Sequence, residues 1–189
     1  ALDYYNRSLK IREETGDKQG IATSLNNIGG IYNNQGQIKE ALDYYGRSLK
    51  IREEIGDKQG IANSLNNIGA IYKNKGQIKE AMDYYERSLK IREEIGDKQG
   101  IATSLSNIGS INMNQDKIKD ALNYYNRSLK IEEEIGDKQG IAYSFNDIGS
   151  VHLKPKNYKE AERHALLSLQ TAKEGGYVAN LRDVEELLA

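Results

Sequence analysis

The chain contains no cysteine and no tryptophan, one proline (Pro155), one phenylalanine and two histidines in 189 residues. Without cysteine there is no disulfide framework, no thiolate metal site and no thiol nucleophile. That leaves the compartment open, with a reducing cytoplasm as the easier fit. Basic and acidic residues nearly cancel, 27 against 28, for a formal net charge of −1. No overall field draws in nucleic acid or an anionic membrane, and neither is expected as a partner. No apolar run approaches the roughly 20 residues of a membrane span. Residues 1–15 are polar and patterned, unlike a signal or transit peptide. Helix-breaking proline is almost absent and glycines recur at regular positions, which together read as an all-helical chain.

What is present is repetition. Gly-Ile-Ala occurs at Gly20, Gly60, Gly100 and Gly140, and each opens a near-copy of one text. The block Ile21 to Gly60 differs from Ile61 to Gly100 at about six positions. A period of roughly 20–50 residues marks an array in which each unit buries its apolar face against its neighbours. The chain divides as a half repeat (1–17), three repeats (18–56, 57–96, 97–136), a degenerate repeat (137–176) and a terminal half repeat or capping helix (177–189).

Within one repeat, Ile61, Leu65, Ile68, Ile71 and Tyr72 recur at helical spacing and give one apolar stripe. After Gly76, a second stripe runs through Ile78, Ala81, Met82, Tyr85, Leu89 and Ile91. The spacing predicts helix A over about 58–74 and helix B over about 77–95, an antiparallel hairpin. Gly96 stands where a left-handed C-terminal residue is wanted, and Asp97 is placed to cap the next helix. Gly29, Gly69, Gly109 and Gly149 fall inside helix A, where each costs roughly 1 kcal/mol against alanine. The expected compensation is close approach of helix B at Ala41, Ala81, Ala121 and Ala161.

Leu25, Ile28-Gly29, Tyr32, Gly36, Ala41 and Tyr45, repeated as Leu65, Ile68-Gly69, Tyr72, Gly76, Ala81 and Tyr85, resemble the tetratricopeptide repeat (TPR). The likeness covers nearly the whole chain in register. It implies an all-α fold, a right-handed α-solenoid (superhelix) of stacked antiparallel helix hairpins. Three features depart from the usual pattern: Ser48, Ser88 and Ser128 replace alanine, the closing proline is missing, and helix B runs on through Arg52-Glu53-Glu54. This longer form resembles the repeats of kinesin light chains, of Leu-Gly-Asn adaptors and of bacterial sensor-protein arrays. The third repeat has drifted at Asn112 and Asp116, and the fourth at Phe145, Pro155 and Ala165-Leu166-Leu167.

The resemblance also implies that A helices line a concave groove. Its candidate peptide-binding residues are Asn27, Asn67 and Asn107, with Asp147 in register, joined by Asn26, Asn66, Asn34, Asn74, Asn114 and Lys73. An asparagine amide both donates and accepts, so a ladder of them can pair with the main chain of an extended peptide. Such ladders occur in TPR arrays of the transferase that attaches N-acetylglucosamine to serine and threonine. The same asparagines could instead bridge neighbouring A helices, or be polar filler on a solvated face. Small residues at Gly30, Ala70, Ser110 and Ser150 leave room for a side-chain pocket.

Other signals carry less. Arg47 and Arg87 follow Asp43 and Asp83 by four residues, a favourable pairing on a solvated helix face. Gly56-Asp57-Lys58-Gln59-Gly60 lacks the spacing and the Lys-Ser/Thr of a phosphate loop. Glu160 and His164 sit i,i+4 without a third metal ligand, so no metal is expected. Nothing forms a nucleophile, base and orienter set, so neither catalysis nor a cofactor is expected.

The leading expectation is therefore a scaffold that binds a protein or peptide segment in an Asn-lined groove. The alternatives are a self-associating spacer stacking head to tail through Ala1–Thr15 and Tyr177–Ala189, and the sensory input region of a larger bacterial signalling protein.

Overall fold

The computed structural model describes residues 2–177 and, among these, holds nine helices and no strand. The helices are α1 (Leu2–Thr15), α2 (Lys18–Asn34), α3 (Ile38–Ile55), α4 (Lys58–Asn74), α5 (Ile78–Ile95), α6 (Lys98–Asn114), α7 (Ile118–Ile135), α8 (Lys138–Leu153) and α9 (Tyr158–Gly175). The expected helix A and helix B of one repeat are thus α4 and α5. The terminal helix expected over 177–189 lies, beyond Tyr177, outside the described residues. The chain forms two compact units divided between Ile95 and Gly96.

In the first unit α1 packs on α2, α2 and α3 form a hairpin, α3 packs on α4, and α4 and α5 form the second hairpin. Leu9, Leu25 and Ile28 make one buried cluster, with Tyr5, Ile21 and Ile51 against it. Ala41, Tyr45, Ile68 and Ile71 make the next, joining the first hairpin to the second. In the second unit α6 and α7 pair, α7 packs on α8, and α8 and α9 pair. There Ala121, Tyr125, Ile148 and Val151 form the buried cluster. Each cluster uses one stripe from an A helix and one from a B helix, so a hairpin cannot bury its apolar face alone.

Helix starts and stops have local causes. Asp17, Asp57, Asp97 and Asp137 each accept the backbone N–H of the glycine three residues on, at 2.9–3.0 Å. Such a cap contributes about 1 kcal/mol. Gly96 ends α5 with φ +69°, as its position implied. The A-to-B turn is closed at Gly76 (φ +74°), whose N–H donates to the Lys73 carbonyl at 3.0 Å. Where the glycine is lost, Asp116 (φ +59°) and Lys156 (φ +60°) still take the left-handed conformation, which disfavours residues with a Cβ. Helix α8 is one residue shorter than its siblings because Pro155 has no N–H to donate to the last turn.

The serines that replace alanine in helix B have a structural role. Ser48, Ser88, Ser128 and Ser168 are buried and donate to the carbonyls of Ala22, Ala62, Ala102 and Ala142 at 2.7–2.9 Å. Each bond ties helix B to helix A of its own hairpin and contributes about 0.5–1.5 kcal/mol.

One expectation is corrected. The atoms nearest a Cβ on the mid-helix glycines Gly29, Gly69 and Gly109 belong to tyrosine rings, not to Ala41, Ala81 and Ala121. A Cβ on Gly29 would lie 2.9 Å from Tyr45 Cδ1, and one on Gly69 would lie 3.0 Å from Tyr85 Cδ1 and Cε1. Gly109 stands in the same relation to Tyr125. The alanines are buried as well, but the flat ring is what comes close. Burial pushes the Tyr85 hydroxyl up to about 12, so it stays protonated.

Candidate functional site

The capped start of each A helix fixes which residues point away from the B helices. In α4, Ala62, Leu65, Ile68 and Gly69 are buried, while Asn63, Asn66 and Asn67 are half-buried. The same alternation puts Asn26 and Asn27 on α2, and Asn107 on α6, in half-buried positions. Asn34, Asn74 and Asn114 are the last residues of their helices and are exposed, and Lys73 is half-buried one residue before the end of α4.

Within the first unit, two of the sequence candidates meet directly. Asn67 Nδ2 donates to Asn26 Oδ1 at 3.2 Å, linking α4 to α2. The bond joins Asn67 to Asn26 and not to Asn27, its partner in repeat register. Asparagine has two N–H donors and an acceptor oxygen with two lone pairs, so one mutual bond uses only part of each amide. Asn63 Oδ1 accepts from Arg92 Nη2 at 3.0 Å. In the second unit the residue in register with Asn26 is Ser106, whose hydroxyl donates to Ser128 Oγ at 2.9 Å.

The second unit holds an open cavity of about 400 Å³ lined by Gln99, Ser106, Asn107, Glu132, Asp137, Tyr143 and Asp147, among others. Asn107 and Asp147, both singled out in the sequence, therefore share one concavity. Glu132 does not follow from sequence reasoning. It is 5 % exposed, accepts from Ser144 Oγ at 2.6 Å, and has Ser128 Oγ 3.0 Å from its other oxygen. Burial raises its pKa, with Asp137 and Glu133 adding repulsion and the two serines opposing it.

Its counterparts in the first unit are arginines, also missed. Arg52 is 6 % exposed and donates from Nη1 to the Gly60 carbonyl at 2.6 Å and to Ser64 Oγ at 3.2 Å. Its Nε lies 3.8 Å from Asp57 Oδ2. Arg12 repeats this with Gly20, Ser24 and Asp17. The signal was the helix B stripe itself: Ala41, Tyr45, Ser48 and Arg52 fall on one face.

The charge pairs expected on helix B are as spaced in sequence. Arg87 lies 3.4 Å from Asp83 and its guanidinium is 5.5 Å from the Tyr84 ring centre. Tyr84 stacks on Tyr72, centre to centre 5.3 Å, as Tyr44 does on Tyr32. In the fourth repeat His152 and His164 occupy this register and stack at 5.5 Å. His164 Nδ1 lies 2.8 Å from the Glu160 carbonyl. Among the described residues, no group of three His, Cys, Asp or Glu is placed to hold a metal ion, and no helix is long and apolar enough to cross a membrane.

Stacked hairpins with this signature define an interaction-repeat class of fold, an all-α repeat solenoid. The tetratricopeptide repeat family model matches residues 1–54, 20–94 and 100–174, and the chain belongs to that family. No curated protein sequence matches it. Among solved structures, BtubC (BKLC) from P. vanneervenii is similar at 16 % identity and TM-score 0.82, over 98 % of this chain and 81 % of that one. A Rap protein complexed with Competence and Sporulation Factor is similar at 17 % identity and TM-score 0.86. That match covers 97 % of this chain and 51 % of the Rap chain, so this chain spans about half its length. The nearly identical TPR-like repeats of a Podosopora anserina kinesin light chain follow at 13 % identity and TM-score 0.70, over 93 % and 86 %.

Proposed function

We propose that the chain is a non-catalytic interaction module that holds an extended segment of a partner protein against its A-helix faces. The observation that carries this reading is the Asn26–Asn67 pair. Two half-buried amides are fixed by one mutual bond at 3.2 Å, with the rest of their hydrogen-bonding capacity suited to a peptide main chain. A chain of similar fold is itself complexed with a factor. Three or so such bonds contribute only a few kcal/mol, against about −8 kcal/mol for micromolar binding, so a side-chain pocket has to add to the ladder.

The test is a display screen of extended peptides against the full chain and its N26A/N67A variant. The reading requires peptides captured by the parent and lost by the variant at equal helicity. If capture is unchanged and only thermal stability falls, the pair is a bridge between A helices and the reading fails.

One observation favours a second reading, end-to-end self-association. Helix α1 leaves Tyr4 and Ile11 exposed at 78 % and 60 %, an apolar face open to another copy. Sedimentation velocity with and without residues 177–189 separates the two: concentration-dependent growth lost on truncation favours assembly, and a monomer in both forms excludes it.

A further inference from the structure

The α1–α2, α3–α4 and α7–α8 joints differ at one charged position. At the α1–α2 and α3–α4 joints an arginine of the chain lies over the start of the A helix. It donates to a glycine carbonyl and a serine hydroxyl and faces the capping aspartate: Arg52 with Gly60, Ser64 and Asp57. At the α7–α8 joint the receiving groups are all retained as Gly140, Ser144 and Asp137, but the arginine position is Glu132. A carboxylate cannot donate to the carbonyl, and it adds a second negative charge beside Asp137. The cover over the glycine is correspondingly thinner: Gly60 is buried and Gly140 half-buried.

Glu132 is also poorly served where it lies. A hydroxyl has one proton, and that of Ser128 is shared between the Ala102 carbonyl at 2.8 Å and Glu132 Oε1 at 3.0 Å. Ser144 gives the remaining bond. A buried carboxylate with at most two hydroxyl donors, one of them contested, and no cationic partner among the described residues is costly unless a positive charge reaches it. The cavity of about 400 Å³ opens onto this group.

We propose that this cavity takes an arginine or lysine side chain of the bound partner segment, which supplies from outside the cation that Arg12 and Arg52 supply from within the chain. The acceptors for it are Glu132, Asp137 and the Gly140 carbonyl, with Tyr143 at the mouth for the aliphatic stem. The proposal rests on the groove reading above and names the chemistry of its side-chain pocket.

The test uses the full chain and two peptides, acetyl-Ala-Ala-Arg-Ala-Ala-amide and its citrulline counterpart, which keeps the shape and removes the charge. The arginine peptide should shift the backbone amide signals of Gly140 and Ser144, while the citrulline peptide should not. Glu132→Gln should weaken binding by at least about tenfold, and Glu132→Arg, which recreates the arrangement at Arg52, should abolish it with the fold intact. Equal effects of the two peptides, or no response at Gly140 and Ser144, would overturn the proposal. A randomised peptide pool separates the two failures. Capture without basic preference and unaffected by Glu132→Gln removes the pocket and leaves the groove, whereas no capture at all removes both.

Discussion

The ring of Tyr85 lies against Gly69 so closely that a Cβ there would sit 3.0 Å from two ring carbons. Tyr85 is 1 % exposed, so its ring has no solvent to move into. Gly69→Ala therefore pits a helix-propensity gain of about 1 kcal/mol against overpacking of about 1–3 kcal/mol. The expected outcome is a net loss of about 1 kcal/mol, read from urea unfolding midpoints, despite the better helix former. A gain would show that the ring yields.

At the turn of the fourth repeat, Lys156 holds φ +60° where the first two full repeats have Gly36 and Gly76. Lys156→Gly should raise stability by about 0.5 kcal/mol, the left-handed penalty of a side chain less the entropy cost of glycine. Lys156→Ala keeps the Cβ and should gain nothing. Thermal melts of the three proteins decide it.

The stacked His152–His164 pair predicts that the second unit loses stability in acid. Burial lowers the His152 pKa, the neighbouring His164 lowers it further, and Glu160 opposes. A base with a depressed folded value binds fewer protons than the unfolded chain, so its stability contribution is present above the ordinary histidine value of 6.5 and is lost as pH falls through the folded value. His152→Phe should remove that slope from a stability profile between pH 7 and 5. An identical slope in the variant would contradict this.

Glu132 works in the opposite sense. Its folded value is raised above 4.5, mainly by burial, so the folded state holds the proton more tightly. Its contribution is greatest below the ordinary glutamate value and is lost as pH rises through the folded one. Glu132→Gln should therefore gain stability relative to the parent as pH increases from the glutamate range to neutrality. A parent-to-variant difference that does not change with pH would contradict it.

Helix placement was legible because two periodic stripes are punctuated by Asp caps and left-handed glycines, all local signals. The partner of Gly69 was not, because Ala81 and Tyr85 lie on the same stripe, four residues apart, and periodicity does not reveal which side chain reaches the glycine. Arg52 was missed for a related reason. A charge gives no sign of burial, while the position four residues after Ser48 puts it on the buried face. The change from arginine to Glu132 is visible in the sequence but gains meaning only once that position is known to be buried over a helix start. The asparagines were legible as a row; that Asn67 would pair with Asn26 depends on the stagger between α2 and α4, which no single repeat encodes.

The central claim, that the A-helix faces hold a partner segment, is tested most directly by NMR of the asparagine side-chain amides during titration with a peptide selected on the full chain. The account predicts that the Nδ2 signals of Asn26 and Asn67 shift on binding and become protected from solvent exchange. Shifts confined to the B helices, with both asparagine signals unmoved at saturation, would contradict it.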